Sequence, residues 1–474
     1  MIRGSLNIQS TDCRLSGCIF NLVVDNIRDQ FRSGHFDFKR YYLNINFQAL
    51  GCRLNEAELE TWASEFLQQG HQITADSGEA DIIVFNSCAV TGEADRKSRQ
   101  QINRLQRSNP GAGLVVTGCH ASLNHELVKN YLGVDLVVDN EAKETLVRQA
   151  LNLFGTAKSA TETVTENGLF LRGRHRAFIK VQDGCRYRCT YCVVTIARGA
   201  ERSRSIKDIV DEINRLNAQG VQEVAVTGVH VGGYGSDTGS NLYELLSEIL
   251  DRTEIPRIRL ASVEPWDLPH NFFRLFQDSR LMPHMHLPIQ SGSDTVLKRM
   301  ARRCKTEEFS RIVDKARESV SRFNITTDVI VGFPGETEEE WRQTVDYIER
   351  TGFGHMHIFS YSRREGTRAA SLPGQVEKSI KKERSQQMHR LAAKLKTIEL
   401  QKHVGNSCAV LWEQKTNQGS GLWTGYTPQY HKIVSDDSKI RAAKITEVSV
   451  DQVSADGLRL VNRARQREAQ QNFL

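Results

Sequence analysis

The 474-residue chain predicts an α/β protein with an N-terminal Rossmann-like parallel sheet, a central partial (β/α)6 barrel of the TIM type, and a small C-terminal β-barrel. Three observations carry this expectation. Short apolar runs alternate with helical patterns between residues 41 and 154; the alternation resumes at 178 for six strand–helix repeats; and short β-rich runs close the chain after 403. The expected divisions are an extension of uncertain order at 1–40, a first domain at 41–155, a barrel at 171–400 and a terminal domain at 403–465.

In the first domain the candidate strands are INFQALG, DIIVFNS, LVVTG and VDLVVD, and NEAELETWASEFLQQG and EADRKSRQQINRLQR carry the helical period. The carboxyl ends of strands in an open parallel sheet share one edge, where ligands bind. Cys52, Cys88 and Cys119 each follow a strand there, directly after a Gly or Ser. A lone cysteine at such a place is an ordinary small core residue. Three of them favour a joint thiolate site. The polar stretch at 156–167 reads as a linker.

The barrel strands are expected at 178–183, 223–229, 257–263, 284–289, 325–333 and 355–361, with helices such as SIKDIVDEINRLNAQG and TEEEWRQTVDYIERTG between them. An active site in this architecture lies at the carboxyl ends of the strands. The first strand leads straight into GCRYRCTYC, which spaces Cys185, Cys189 and Cys192 as CxxxCxxC. A structural zinc site is closed by a fourth Cys or His at short spacing, and this loop offers none. A 4Fe-4S cluster on three cysteines keeps one iron open to a substrate or cosubstrate, whereas four thiolates would confine it to electron transfer.

Composition narrows the setting. Ten cysteines without the pattern of a secretory signal point to metal or redox chemistry and a cytoplasmic location rather than a disulfide framework. The longest apolar runs fall short of the roughly 20 residues that cross a bilayer, so no membrane association is expected. A formal charge of +6 permits a polyanionic partner without demanding one. The stretch from 375 to 403 is a basic helix containing Lys381, Lys382 and Arg384, NSCAVLWEQ (with Trp412) and IRAAKITEVSVDQVSADGLRLV read as short strands, and Trp423 lies between them. Alone, such a charge run reads as a solvated face and the tryptophans as core of the small barrel; only a nucleic-acid partner would make the cations phosphate contacts and the tryptophans stacking platforms.

Taken in order, ALGCRLNEAE, NSCAVTGEADRKSRQ, VVTGCHA, GCRYRCTYCVVTIARGAERSR, HLPIQSGSDTVLKRM and DVIVGFPGETEEEW resemble the methylthiotransferase family of radical S-adenosylmethionine enzymes, over residues 41–462. That resemblance implies a radical-generating 4Fe-4S cluster on Cys185, Cys189 and Cys192, an auxiliary 4Fe-4S cluster on Cys52, Cys88 and Cys119, and two S-adenosylmethionine molecules per turnover. It implies a terminal RNA-binding barrel of the TRAM type, tRNA with its anticodon loop as partner, an electron donor such as flavodoxin or ferredoxin, and a monomer. Gly228, His230, Ser262 and Gly332 become candidate cosubstrate contacts, although VTGVHVGGYG also reads as a plain Gly-rich turn. ASVEPWDLP and VVTIARGAERSR look most like the branch that acts on N6-threonylcarbamoyladenosine at tRNA position 37. The runner-up branches act on N6-isopentenyladenosine or on an aspartate of a ribosomal protein, and a non-catalytic, zinc-bearing RNA-binding protein is the reading from another class. Thr195 stands where the family commonly has Pro, and Cys304 where it has an aromatic residue.

Overall fold

The computed structural model describes residues 42–155, 175–416, 421–457 and 459–463, so the extension and the linker expected above lie outside the described residues. The described residues from Leu43 onward make up one compact unit with a five-stranded sheet, two three-stranded sheets, a six-stranded sheet and a two-stranded ribbon.

The first sheet is wholly parallel, in the order Gln72–Ile73, Asn44–Ala49, Ile82–Ser87, Gly113–Gly118, Leu136–Val138. Successive side chains on a strand point to opposite faces. Ile82 and Val84 therefore pack under helices Arg53–Gln68 and Leu146–Phe154, while Ile83 and Phe85 pack with Ile102 and Leu105 of helix Gly92–Ser108. Burial on both faces is why these strands read as continuous apolar runs.

The second layer has six parallel strands in sequence order: Ala177–Lys180, Glu223–Thr227, Arg257–Leu260, His284–His286, Asn324–Val331 and His355–Ser360. Single bridges, Ile258 with Leu281 and Ser262 with His286, join its two halves. Outward side chains such as Ile179, Val226, Ile258, Met285, Val329 and Met356 form one large core with the surrounding helices, including Ile206–Ala218, Glu338–Thr351 and Lys378–Gln401. The alternate, inward positions are polar: Glu223, Arg257, Arg259, His284, His286, Thr326 and Asp328. The connection between the third and fourth strands holds two 3-10 turns, Pro265–Asp267 and Phe272–Gln277, where the repeat pattern would place an α-helix.

Parts of the units built on the other two sheets cover portions of this polar inner face. Helix Arg53–Gln68 lays Ala57 against Phe178 and Ala225. From the amino ends of the strands enters the turn before Lys432. Arg257 donates to the carbonyls of Tyr426 and Thr427 (3.3 and 3.1 Å), Arg259 to that of Pro428 (3.0 Å), and Asn324 Nδ2 to that of Gln429 (2.7 Å). Tyr430 stacks on Tyr426 at 4.9 Å and lies 5.1 Å from the ring of His284. Glu223, fully buried, faces Arg257 at 3.0 Å and Arg259 at 3.2 Å.

The terminal sheet is curled and runs Ile445–Ser449, Ser407–Lys415, Trp423–Tyr426, Lys432–Ser435, Leu460–Asn462, Gln452–Val453. Its strands at Trp423–Tyr426 and Lys432–Ser435 are not foreseen by the sequence, since each is four residues long and the first contains Gly425. Trp412 is corrected here: it is fully buried among Val410, Ile433 and Leu460, its Nε1 donates to Thr446 Oγ1 at 2.7 Å, and no ring face remains for a base. Trp423 is half-buried, with Lys415 Nζ 5.4 Å from its ring centre. No helix among the described residues is long and apolar enough to cross a membrane.

Candidate metal centre at the meeting of two sheets

Each cysteine of the first trio sits where a strand turns into the next element. Cys52 is the N-cap of helix Arg53–Gln68, Cys88 follows strand Ile82–Ser87, and Cys119 opens the short helix Cys119–Leu123. Gly51 has φ +108°, and a Cβ there would fall 2.6 Å from Cys88 Sγ, so only glycine lets the Cys52 turn close onto Cys88. Ser98 fixes Cys88 by accepting from its N–H at 3.0 Å and donating to its carbonyl at 2.7 Å.

The second trio lies in a loop closed at its base by a two-stranded ribbon, Gln182–Asp183 with Arg202–Ser203, which ends the strand predicted to run to 183. Gly184, at φ +70°, packs so tightly that a Cβ would lie 1.8 Å from the carbonyl oxygen of Ala200. Cys185 N–H donates to Gly199 at 3.1 Å, Cys192 N–H to Cys189 at 3.0 Å, and the N–H of Val194 points at Cys192 Sγ at 3.4 Å. Thr195 stabilises the loop in its own way, its hydroxyl donating to the carbonyl of Tyr187 at 2.8 Å.

The trios meet through helix Val194–Arg198. Cys119 packs with Ala89 and Ala197, and Asn140 Nδ2 donates to the Ala197 carbonyl at 2.6 Å while lying 4.0 Å from Cys119 Sγ. Arg198, buried between them, donates to Asn55 Oδ1 (2.8 Å), Glu58 Oε1 (2.9 Å) and Asp183 Oδ1 (3.0 Å). Lys143 completes this ionic network 2.5 Å from Glu58, and burial brings its ammonium down to about 8.

The thiols fit a polynuclear cation. Burial pushes Cys88, Cys185 and Cys192 up to about 12, with neighbouring cysteines adding to the rise. Buried thiols that resist ionisation side by side need positive charge among them to become ligands. The nearest substitute for a fourth ligand is already engaged: His230 lies with Glu201 within metal-ligand range of Cys185, but its Nδ1 is 2.5 Å from Glu201 and its Nε2 2.7 Å from Asp267. Arg302 is the polar group on the other side, stacked 4.2 Å over Trp266, with its charge beside Cys189 and Tyr191. Sequence reading overlooked the importance of both Arg198 and Arg302, for neither contact is local.

The candidate cosubstrate residues are dispersed. Gly228 packs against Gln182, whose Oε1 accepts from the N–H groups of Val229 and His230 at 3.1 and 2.9 Å, which ties this loop to the start of the cysteine loop. Ser262 forms a bridge with His286. Gly332 ends its strand at φ +72° under the stem of Lys381, and its N–H donates to Glu336 at 2.8 Å. Of the expected phosphate-binding residues, Arg384 is corrected: it is buried and paired with Glu336 at 2.9 Å and Glu338 at 3.1 Å. Lys381 is turned inward, donating to the Tyr361 carbonyl at 3.2 Å, while Lys382 is exposed.

Residues 179–348 match the Radical SAM superfamily, and residues 44–139 match the uncharacterized protein family UPF0004. The threonylcarbamoyladenosine tRNA methylthiotransferase MtaB of Bacillus subtilis is 34% identical over 86% of this chain and 93% of its own length. The protein of the same name from Thermotoga maritima is 35% identical over 87% of this chain and 96% of its own. A Staphylococcus aureus tRNA-2-methylthio-N(6)-dimethylallyladenosine synthase is 30% identical over 85% and 81%. Among solved structures, the radical S-adenosylmethionine methyltransferase TsrM of Kitasatospora setae shares the fold, with a TM-score of 0.52 and 16% identity over 70% of this chain and 77% of that one. Membership of the superfamily implies a 4Fe-4S cluster and S-adenosylmethionine. With Cys119 of one cysteine trio packed on Ala197, in the helix that follows the other trio, and relatives that match almost end to end, the chain belongs to the radical S-adenosylmethionine methylthiotransferase family.

Proposed function

We propose that this protein is a tRNA methylthiotransferase that adds a methylthio group to carbon 2 of N6-threonylcarbamoyladenosine at position 37 of the anticodon loop. The packing of Cys119 on Ala197, which sets a member of one cysteine trio against the helix that follows the other, carries this reading. Cys185, Cys189 and Cys192 would hold the cluster that binds S-adenosylmethionine, and Cys52, Cys88 and Cys119 a second cluster. The bound clusters and two molecules of S-adenosylmethionine supply radical formation and the methylated sulfur, chemistry that acid and base side chains cannot perform on an unactivated aromatic C–H.

The chain's own residues orient and shield. Gln182 clamps the loop after the second barrel strand to Asp183 and Gly184. His230, Glu201 and Asp267 form a rigid polar wall beside Cys185. Arg198 and Arg302 bring positive charge to the buried thiolates. Exposed Lys378, Lys382 and Arg390 on the long helix offer phosphate contacts, and half-buried Trp423 a stacking face. The divisions 41–155, 171–400 and 403–465 would then be a cluster-bearing domain, a radical barrel and an RNA-binding domain of a cytoplasmic monomer reduced by flavodoxin or ferredoxin. The test is mass spectrometry of tRNA nucleosides from a deletion strain: 2-methylthio-N6-threonylcarbamoyladenosine disappears and its precursor accumulates. Loss of the isopentenyl derivative instead selects the branch of the Staphylococcus aureus relative.

A further inference from the structure

The inner face of the barrel holds polar groups that the cluster reading leaves without a task. His286 Nε2 lies 3.1 Å from Asp328, His286 Nδ1 2.9 Å from Thr326 Oγ1, and His357 closes the group, with ligand atoms of the two histidines and the aspartate all within 4.8 Å of one another. His286 and Asp328 are half-buried and His357 is exposed, so this face is reachable by a ligand. Arg53, one residue from Cys52, reaches this face through Tyr430, whose ring lies 5.1 Å from that of His284. Its Nη2 donates to Tyr430 Oη at 2.8 Å, its guanidinium lies 4.9 Å from that ring, and its charge is felt at His357. Among the described residues no carboxylate pairs with it.

We infer that Arg53 and His357 bind the carboxylate of the threonylcarbamoyl group, while Asp328 accepts from its hydroxyl or ureido N–H, so that this inner face selects a polar, anionic substituent on the adenine. The inference rests on the substrate reading above and names the residues that enforce it. His286 Nε2 takes one carboxylate oxygen of Asp328 at 3.1 Å, which leaves the other as the acceptor for that hydroxyl or N–H. An isopentenyl group would leave the Arg53 charge and His357 covered with no anion to meet them, which is how sites built for polar groups reject apolar analogues by large factors. The position suits the chemistry, since Arg53 follows a proposed cluster ligand and can anchor the substituent beside the atom to be modified.

The test uses the reconstituted full-length enzyme and anticodon stem-loop RNAs bearing N6-threonylcarbamoyladenosine, its methyl ester, or unmodified adenosine. Dissociation constants come from fluorescence anisotropy and methylthiolation from single-turnover assays. In the wild type, esterification or removal of the group weakens binding about tenfold. In Arg53→Gln the three RNAs bind within about twofold of one another, and Arg53→Lys keeps part of the preference. Because each ratio is taken within one variant, a fault in docking or folding weakens all three RNAs alike. Such uniform loss, or an undiminished ester effect in Arg53→Gln, overturns the inference while wild-type turnover of the threonylcarbamoyl RNA upholds the substrate. Absence of that turnover overturns both.

Discussion

Glu336 shows how much chemistry one buried side chain carries. It accepts from Gly332 N–H at 2.8 Å and from Arg384 at 2.9 Å, yet burial outweighs both and pushes its carboxyl up to about 7 from 4.5. A carboxyl raised on folding stabilises fully below its unfolded value and loses that contribution as pH rises through the folded one. At 1.36 kcal/mol per unit the loss is about 3 kcal/mol. Thermal unfolding of Glu336→Gln should therefore fall less than that of the wild type between about pH 5 and pH 8; an equal fall would show that Glu336 is ionised throughout. Residue-scale legibility was uneven for a physical reason. The three cysteines of GCRYRCTYC announce themselves because their spacing is local. Arg384 looked like one more cation in a basic run, because nothing near it in sequence reveals that Glu336 waits across the fold.

At the scale of elements, the turn that carries Tyr430 locks the terminal sheet to the barrel. Tyr430 adopts φ +66°, unusual for a bulky residue and sustained only by surroundings that fix it. Arg259, Arg53 and Arg176 stack on its ring at 4.5, 4.9 and 5.2 Å. Tyr430→Ala should cost roughly 3 kcal/mol, the lower end for a large aromatic because the ring is half-buried. Hydrogen exchange should then rise across the strands at 423–426 and 432–435; unchanged protection there would show that the sheet docks without this turn. The elements of the first two sheets were legible because apolar runs and helical periods state them directly. The polar inner face was not, since an Arg or His on a strand reads as solvent-facing until the element covering it is known, and the turn that covers Arg259 lies 168 residues further on.

For the whole molecule, the question is how cysteine trios from separate sheets come to be neighbours, with Cys119 close enough for its charge to be felt at Cys192. Either trio alone can be found in the sequence, but their juxtaposition depends on helix Val194–Arg198 packing against helix Cys119–Leu123, with Arg198, Glu58 and Lys143 filling the seam. On the proposed function these are two separate three-cysteine iron–sulfur sites. Metal and sulfide analysis of anaerobically reconstituted protein decides whether they are. The wild type should hold about eight irons, and replacing either Cys185, Cys189 and Cys192 or Cys52, Cys88 and Cys119 by alanine should leave about four. Stoichiometric zinc without iron, or loss of all iron from either triple variant, would contradict it.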